Sequence, residues 1–207
     1  MSFKLPKLSF SYESLEPYID RKTMEIHYTK HHQTYVDNTN KILNNTIYSN
    51  YSENKLVREL KKINIKDKQI LINNLGGHIN HSFFWKNLKL GTKLFGTLKS
   101  AIKKQFYSFE SFVNIFEKVA LEHFGSGWVW LIKESSQLKV VSTVNQNNPL
   151  MGKSINSFKE ASPIICLDIW EHAYYLKYNN RKIDYIKSFW NIINWEEAER
   201  QFLLLNL

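Results

Sequence analysis

FGSGWVWLIKESSQLKVVSTV, residues 124–144, marks the point at which the chain changes from helical to extended patterning. Gly125 and Gly127 interrupt the helical pattern before it, and β-branched and aromatic residues dominate the stretch after these glycines. The pattern predicts strands over residues 128–134 and 138–144, joined by a short turn as an antiparallel hairpin. A third apolar run, residues 163–169, predicts a third strand that comes after a long loop. We therefore expect a three-stranded antiparallel sheet.

Helical periodicity dominates the residues on either side of this sheet. Apolar positions recur at helical spacing over residues 21–43, 53–63, 66–88, 97–106 and 109–123, and Asp20 is the expected N-cap of the first helix. The first and third of these would pack as a hairpin, and the residues after 170 return to helix. The predicted fold class is α+β: an N-terminal antiparallel helical hairpin (residues 1–90) followed by an α/β domain (residues 91–207).

Composition excludes several classes of protein. Hydrophobic residues make up 43% of 207 residues, which argues against disorder, yet no apolar run approaches the roughly 20 residues that span a bilayer. The N-terminus also has no apolar core of signal-peptide length, so we expect no membrane partner. The lone Cys166 cannot form an intrachain disulfide, which favours a reducing compartment and predicts a cytoplasmic protein.

The net charge of +9 raises nucleic acid as an alternative partner. Lysine and arginine are spread along the whole chain, and no nucleic-acid-binding motif accompanies them. We therefore expect no nucleic-acid partner, and a nucleic-acid-binding protein remains the alternative that charge alone suggests.

A buried carboxylate is the first indication of chemistry. Asp168 follows the apolar run Ile164-Ile165-Cys166-Leu167, and a carboxylate buried there needs a partner. A metal ion would supply one, with His172 returning beside Asp168 after a turn, and with His27 and His81 contributed by two helices. Three imidazoles and one carboxylate suit manganese, iron or zinc.

Three segments resemble the ligand-bearing segments of the iron/manganese superoxide dismutases. They are HYTKHHQTYV at 27–36, NHSFFW at 80–85 and DIWEHAYY at 168–175, with FGSGWVW at 124–130 and Asn145-Gln146 as further matches in the family's order. The resemblance implies one metal ion per subunit, held by His27, His81, Asp168 and His172 with solvent as a fifth ligand. The implied reaction disproportionates superoxide to oxygen and hydrogen peroxide by alternate reduction and oxidation of that metal.

The resemblance also implies roles for residues around the metal. Tyr35 matches the family's gateway tyrosine, and His31 would line the same path. The manganese branch typically has Gly at the position of Gly77 and a Gln at the position of Gln146, so this chain favours manganese, with iron or use of either metal as the alternative. Gly77 is costly inside a helix, and we expect it to make room for the Gln146 side chain.

A homodimer is implied as well. By resemblance, Glu171 would bond a ligand histidine of the other subunit, and Tyr174 would bond the partner's His31. Lys30 and Arg181 match basic residues that attract superoxide in the family. A relative that binds metal without catalysis is the remaining alternative to an enzyme.

Overall fold

The N-terminal part of the chain is helical. The computed structural model describes residues 2–206. Its first helices are α1 (Arg21–Ile26), α2 (Gln33–Leu43), α3 (Glu53–Arg58) and α4 (Lys68–Lys86), and a 3₁₀ turn, Leu60–Lys62, follows α3. Asp20 caps α1 as predicted, because its carboxylate accepts a hydrogen bond from the Thr23 amide at 2.9 Å. Packing of α2 against α4 forms the predicted hairpin.

The first predicted helix differs from expectation in its winding. A π-helical segment, His27–His32, separates α1 from α2, where we expected a continuous α-helix over residues 21–43. A π turn takes up more residues than an α turn, and such segments occur frequently at functional sites. Both His27 and His31 therefore lie on a widened turn.

The C-terminal part contains the sheet. Its helices are α5 (Gly96–Phe106), α6 (Phe109–Glu122), α7 (Tyr175–Tyr178), α8 (Lys182–Phe189) and α9 (Trp195–Leu204). Its strands are β1 (Gly127–Glu134), β2 (Gln137–Val144) and β3 (Ser162–Asp168), in the order β2-β1-β3 and antiparallel throughout, which confirms the predicted sheet. Short 3₁₀ segments, Pro149–Ser154 and Glu171–Ala173, lie on either side of β3.

Two hydrophobic clusters stabilise the fold, and α4 contributes to both. The larger cluster combines residues 128–132 of β1, which are buried on both faces of the sheet, with Met24 from α1 and with Phe84 and Trp85 from α4. The smaller cluster lies within the helical hairpin and reaches the C-terminal part through Leu150 and Met151. The two parts of the chain consequently share apolar contacts along the length of α4.

Two buried polar side chains connect distant elements. Glu199 of α9 is 6% exposed and accepts hydrogen bonds from the Thr97 and Leu98 amides at 2.8 and 2.7 Å, satisfying free donors at the start of α5. Asn87, just after α4, accepts a hydrogen bond from the Cys166 amide at 2.9 Å and fixes β3 beside that helix. Within residues 2–206, no helix has both the length and the apolar character needed to cross a membrane.

Candidate metal centre

Four side chains meet where the helical hairpin packs against the end of the sheet. His27 begins the π-helical segment, His81 lies in α4, Asp168 ends β3, and His172 lies in the 3₁₀ turn after that strand. One potential ligand atom from each lies within 4.8 Å of all the others. The structure thus brings together the four ligands predicted from the sequence.

The distances between these atoms suit a single metal ion. Oδ2 of Asp168 lies 3.1 Å from Nε2 of His27, 3.2 Å from Nε2 of His172 and 3.6 Å from Nε2 of His81. Two ligands that are each about 2.1 Å from one ion are separated by about 3.0–3.6 Å at ordinary coordination angles. The carboxylate and the imidazoles therefore already have the spacing of a coordination sphere.

Hydrogen bonding supports the same interpretation. Among the described residues 2–206, Nε2 of His27 and Nε2 of His81 are buried without a well-directed hydrogen bond. Buried polar atoms that lack a hydrogen-bond partner are uncommon, and binding of an ion is one of the established reasons for them. These two nitrogens face the Asp168 carboxylate, so a cation between them would satisfy all three groups.

Neighbouring groups orient two of the candidate ligands. Nδ1 of His81 lies 2.6 Å from the carbonyl oxygen of Gly77, which can only accept, so Nδ1 carries the proton and Nε2 is free to bind metal. Oδ1 of Asp168 accepts a hydrogen bond from the Trp170 amide at 2.9 Å. That bond leaves Oδ2 directed toward the three histidines.

The local electrostatics keep three of the candidate ligands in their metal-binding forms. Burial lowers the pKa of His27 to about 4 and the pKa of His81 well below its usual value, so both imidazoles are neutral at pH 7. Burial alone would raise the pKa of Asp168, but its contacts with His172 and His27 outweigh burial and lower that pKa. Two neutral imidazoles and one ionised carboxylate need no deprotonation before they bind a divalent ion.

Gln146 and Tyr35 form a hydrogen-bonded pair beside the ligands. The Gln146 side chain is 2% exposed, and its Nε2 donates to the Tyr35 hydroxyl at 3.1 Å. Its Oε1 accepts from Nε1 of Trp128 at 3.0 Å and from Nδ2 of Asn80 at 3.3 Å. These donors fix the orientation of the amide, since the oxygen must face Trp128 and Asn80.

The prediction that Gly77 makes room for the Gln146 side chain is wrong. A Cβ atom on Gly77 would lie 2.6–2.8 Å from three ring atoms of Tyr35, so this glycine makes room for the tyrosine ring and not for the Gln146 side chain. The neighbouring Gly76 is the residue that contacts Gln146, because a Cβ there would lie 2.1 Å from the Gln146 carbonyl oxygen. Gly76 thus makes room for the backbone carbonyl of Gln146, and Gly77 makes room for the ring of Tyr35.

His31 and Tyr35 both lie next to candidate ligands. The ring of half-buried His31 stacks on His172, with 4.4 Å between centroids, and burial and that neighbour lower the pKa of His31. The Tyr35 ring lies 5.4 Å from His81. The residues predicted for the homodimer differ in exposure: Glu171 is exposed, whereas Tyr174 is 7% exposed and stacks on Tyr185 at 5.1 Å.

Sequence reasoning assigned no role to two further histidines near the site. His32 and His78 are completely buried, and they hydrogen-bond each other with 2.9 Å between ring nitrogens. His78 shares the predicted buried face of α4, and His32 directly follows His31, but sequence spacing cannot pair residues on separate helices. Asn80 was missed for the same reason.

Comparison with known proteins agrees with this geometry. Residues 2–89 match the family model "Iron/manganese superoxide dismutases, alpha-hairpin domain", and residues 95–201 match "Iron/manganese superoxide dismutases, C-terminal domain". The chain is 58% identical over 201 residues to "Superoxide dismutase [Mn]" of Buchnera aphidicola subsp. Acyrthosiphon pisum (strain APS), covering 97% of this chain and 98% of that protein. It is 51% identical over 203 residues to "Superoxide dismutase [Mn]" of Escherichia coli (strain K12), covering 98% of each.

A third relative has a similar sequence identity to this chain. "Superoxide dismutase [Mn]" of Yersinia enterocolitica is 51% identical over 204 residues, which cover 98% of both chains. Matches of this extent include every segment that carries a candidate ligand. The chain therefore belongs to the iron/manganese superoxide dismutase family.

Proposed function

We propose that this protein is a superoxide dismutase that uses one manganese ion per subunit, bound by His27, His81, Asp168 and His172. The observation that carries the proposal is the convergence of three imidazoles on Oδ2 of Asp168 at 3.1–3.6 Å. When bound, the ion supplies a redox centre that takes an electron from one superoxide and gives it to the next. The products are oxygen and, after uptake of two protons, hydrogen peroxide.

The protein's own contribution is to control protons and solvent around that centre. Burial raises the pKa of Tyr35 against the opposing hydrogen bond from Gln146, so the phenol keeps its proton at neutral pH. Its hydroxyl accepts from Gln146 and can still donate its own proton toward the substrate. We propose that Tyr35 and Gln146 hold a proton at the site and that His31 lines the substrate path.

Buried aromatic rings exclude bulk water from the same site. Trp128 is fully buried with its ring 5.1 Å from His81, and Trp85 is 3% exposed with its ring 4.8 Å from His27. A dry surrounding strengthens the electrostatic interaction between the ligands and a bound cation. The attraction between that cation and a small anionic substrate is strengthened in the same way.

The test is superoxide dismutation by the purified protein, loaded separately with manganese and with iron and normalised to bound metal. We expect activity with manganese, and loss of both metal and activity in His81→Gln. The control is His123→Gln, since His123 is a half-buried histidine outside the four ligands. Full metal content without turnover would indicate a non-catalytic relative and contradict the proposal.

The choice of manganese over iron rests on Gly77 and Gln146. Gln146 follows β2 and reaches the site through its bond to Tyr35, and Gly77 provides the space for the Tyr35 ring. The Gln146 amide and the Tyr35 ring would then bias the redox potential of the metal from outside its ligand sphere. Equal activity with both metals would retain the enzyme and contradict the preference for manganese.

A homodimer is the second part of the proposal. The Phe124 side chain is 99% exposed and precedes β1, while exposed Glu171 follows β3, whose Asp168 pairs with Trp128 of β1. An exposed aromatic ring and an exposed carboxylate at the same end of the sheet suit a two-fold contact through Glu171 and Tyr174. We expect Phe124→Glu to give monomers in sedimentation velocity, while Tyr107→Glu, at the exposed α5–α6 junction, leaves a dimer.

Three finer points complete the proposal. We propose that the chain is organised as two domains, residues 1–90 and 91–207, which limited proteolysis near residue 90 would test.

Exposed Lys30 and Arg181 would attract superoxide, so the activity of Lys30→Gln should depend less on ionic strength than that of the wild type. The lone Cys166 supports a cytoplasmic location, which cell fractionation would test.

A further inference from the structure

A second series of hydrogen bonds lies behind two of the candidate ligands and links Trp85, His32, His78 and Glu53. Nε1 of Trp85 donates to Nδ1 of His32 at 2.9 Å, and Nε2 of His32 lies 2.9 Å from Nδ1 of His78. Nε2 of His78 lies 3.1 Å from Oε1 of Glu53, whose side chain is 43% exposed. The chain thus runs from a buried tryptophan to a carboxylate at the surface.

The chemistry of its members allows only one arrangement of protons. An indole N–H can only donate, so Nδ1 of His32 carries no proton. A ring that accepts at Nδ1 carries its single proton on Nε2, so His32 donates from Nε2 to Nδ1 of His78. His78 must then accept at Nδ1 and donate from Nε2 to Glu53. The Glu53 carboxylate is the acceptor on which the orientation of both rings depends.

The buried end of this chain packs against the metal centre. The His32 ring stacks on His81, with 5.4 Å between centroids and 26° between planes. The Trp85 ring meets His27 edge-on at 4.8 Å and lies 6.0 Å from His81. A change in the orientation of His32 or Trp85 would therefore displace the rings of two ligands.

We propose that Glu53 is a positioning residue for the metal centre, acting through His78, His32 and Trp85 on the orientation of His27 and His81. This inference rests on the proposed function, because it assumes that these two histidines bind the metal. Without the carboxylate, His78 can rotate and exchange tautomers, and His32 loses its fixed hydrogen-bond partner. The rings of His27 and His81, which pack against Trp85 and His32, are then held less firmly, and the bound metal dissociates faster.

A purely local role for Glu53 predicts a different pattern of variants. Glu53 lies in the first turn of α3, where a negative charge stabilises a helix. Glu53→Gln removes the charge but keeps an oxygen acceptor for His78, whereas Glu53→Ala removes both. A helix-charge role predicts equal effects of the two variants, and the positioning role predicts a large effect of Glu53→Ala alone. Glu59→Gln, at the other end of α3, is the matched control, because Glu59 pairs with Lys62 and takes no part in the hydrogen bonds that link Glu53 to Trp85.

The experiment compares manganese-loaded wild type with these three variants. The rate of manganese loss to excess EDTA and the electron paramagnetic resonance spectrum of the Mn(II) protein are measured, with the thermal midpoint as a check on folding. We expect Glu53→Ala to lose manganese about three- to tenfold faster with an altered spectrum, which is less than the roughly 10- to 100-fold effects of groups that bond ligands directly. Glu53→Gln should stay close to the wild type and to Glu59→Gln.

Two outcomes would overturn the inference. One is a Glu53→Ala protein whose manganese loss and spectrum match the wild type; the other is equal acceleration in Glu53→Ala and Glu53→Gln. Failure of the proposed function is distinguishable, because it would be seen in the wild-type protein itself, either as manganese not bound in a 1:1 ratio or as bound manganese without turnover.

Discussion

Replacing Gly77 with Ala tests the packing on which the Tyr35–Gln146 pair depends. The new methyl group would lie 2.6–2.8 Å from three atoms of the Tyr35 ring, about 1 Å inside ordinary carbon–carbon contact. These atoms include the ring carbon nearest the backbone, so a small rotation about the side-chain bonds cannot relieve the contact. The ring must move away from α4.

The magnitude follows from two opposing effects. Overpacking of a buried site costs about 1–3 kcal/mol, and three close contacts favour the upper half of that range. Removing a glycine from the interior of α4 returns about 1 kcal/mol of helix propensity. We expect Gly77→Ala to lower the free energy of unfolding by about 1–2 kcal/mol and to lengthen the 3.1 Å bond between Gln146 and Tyr35.

A double-mutant cycle measures the effect by urea unfolding. Tyr35→Ala alone leaves a cavity, and Gly77→Ala partly fills it, so the double variant should be more stable than the sum of the single changes predicts, by about 1–2 kcal/mol. Turnover per bound metal should fall in Gly77→Ala. A Gly77→Ala protein as stable as the wild type, with additive behaviour in the double variant, would refute the reasoning.

Three further predictions concern stability and pH. Glu199→Ala should lower the free energy of unfolding by about 2–3 kcal/mol, because two amides at the start of α5 lose their acceptor, and Glu199→Gln should lose less; urea unfolding measures both, and equal losses would argue against the acceptor role. Gln146→Ala should remove activity and lower stability by about 2 kcal/mol, since three neighbours lose their bonds to it; an active, equally stable variant would contradict this. His27 has a folded pKa of about 4 against an unfolded value of 6.5, so the unfolded chain binds the extra proton and stability falls with decreasing pH through this window. Metal-free protein should lose about 2 kcal/mol from His27 between pH 7 and pH 5, and a His27→Gln variant should lose correspondingly less.

The sequence predicted the elements whose patterns are local. The strand pattern of residues 128–144, the apolar run before Asp168 and the Asp20 cap each depend on neighbours in the chain, and the structure confirms them. The π-helical winding of His27–His32 was not predicted, because its residues have the same apolar spacing as an α-helix. Local pattern therefore determined the elements but not their fine geometry.

Contacts between elements were harder to predict. Gly77 was correctly identified as a close approach, but the approaching group is Tyr35, 42 residues earlier in the sequence, and not Gln146. The Glu53–His78 and His32–His78 bonds join residues 25 and 46 positions apart, and no spacing rule connects them. Asp168 and His172 could be proposed as metal ligands from the buried carboxylate, but the choice of His27 and His81 among seven histidines depended on segments that resemble a known family.

The position of α4 between the two hydrophobic clusters has a consequence for motion in the native state. The first half of α4 contributes Leu71 and Leu75 to the hairpin cluster, and its last turn contributes Phe84 and Trp85 to the sheet cluster. Asn87 bonds to the backbone of β3 just after the helix ends. Opening of either part of the chain would expose apolar surface from both clusters, so partial unfolding that spares α4 is unfavourable. The amide hydrogens of α4 should consequently exchange with deuterated solvent only when the whole molecule unfolds, and the hairpin and sheet should denature in one cooperative transition.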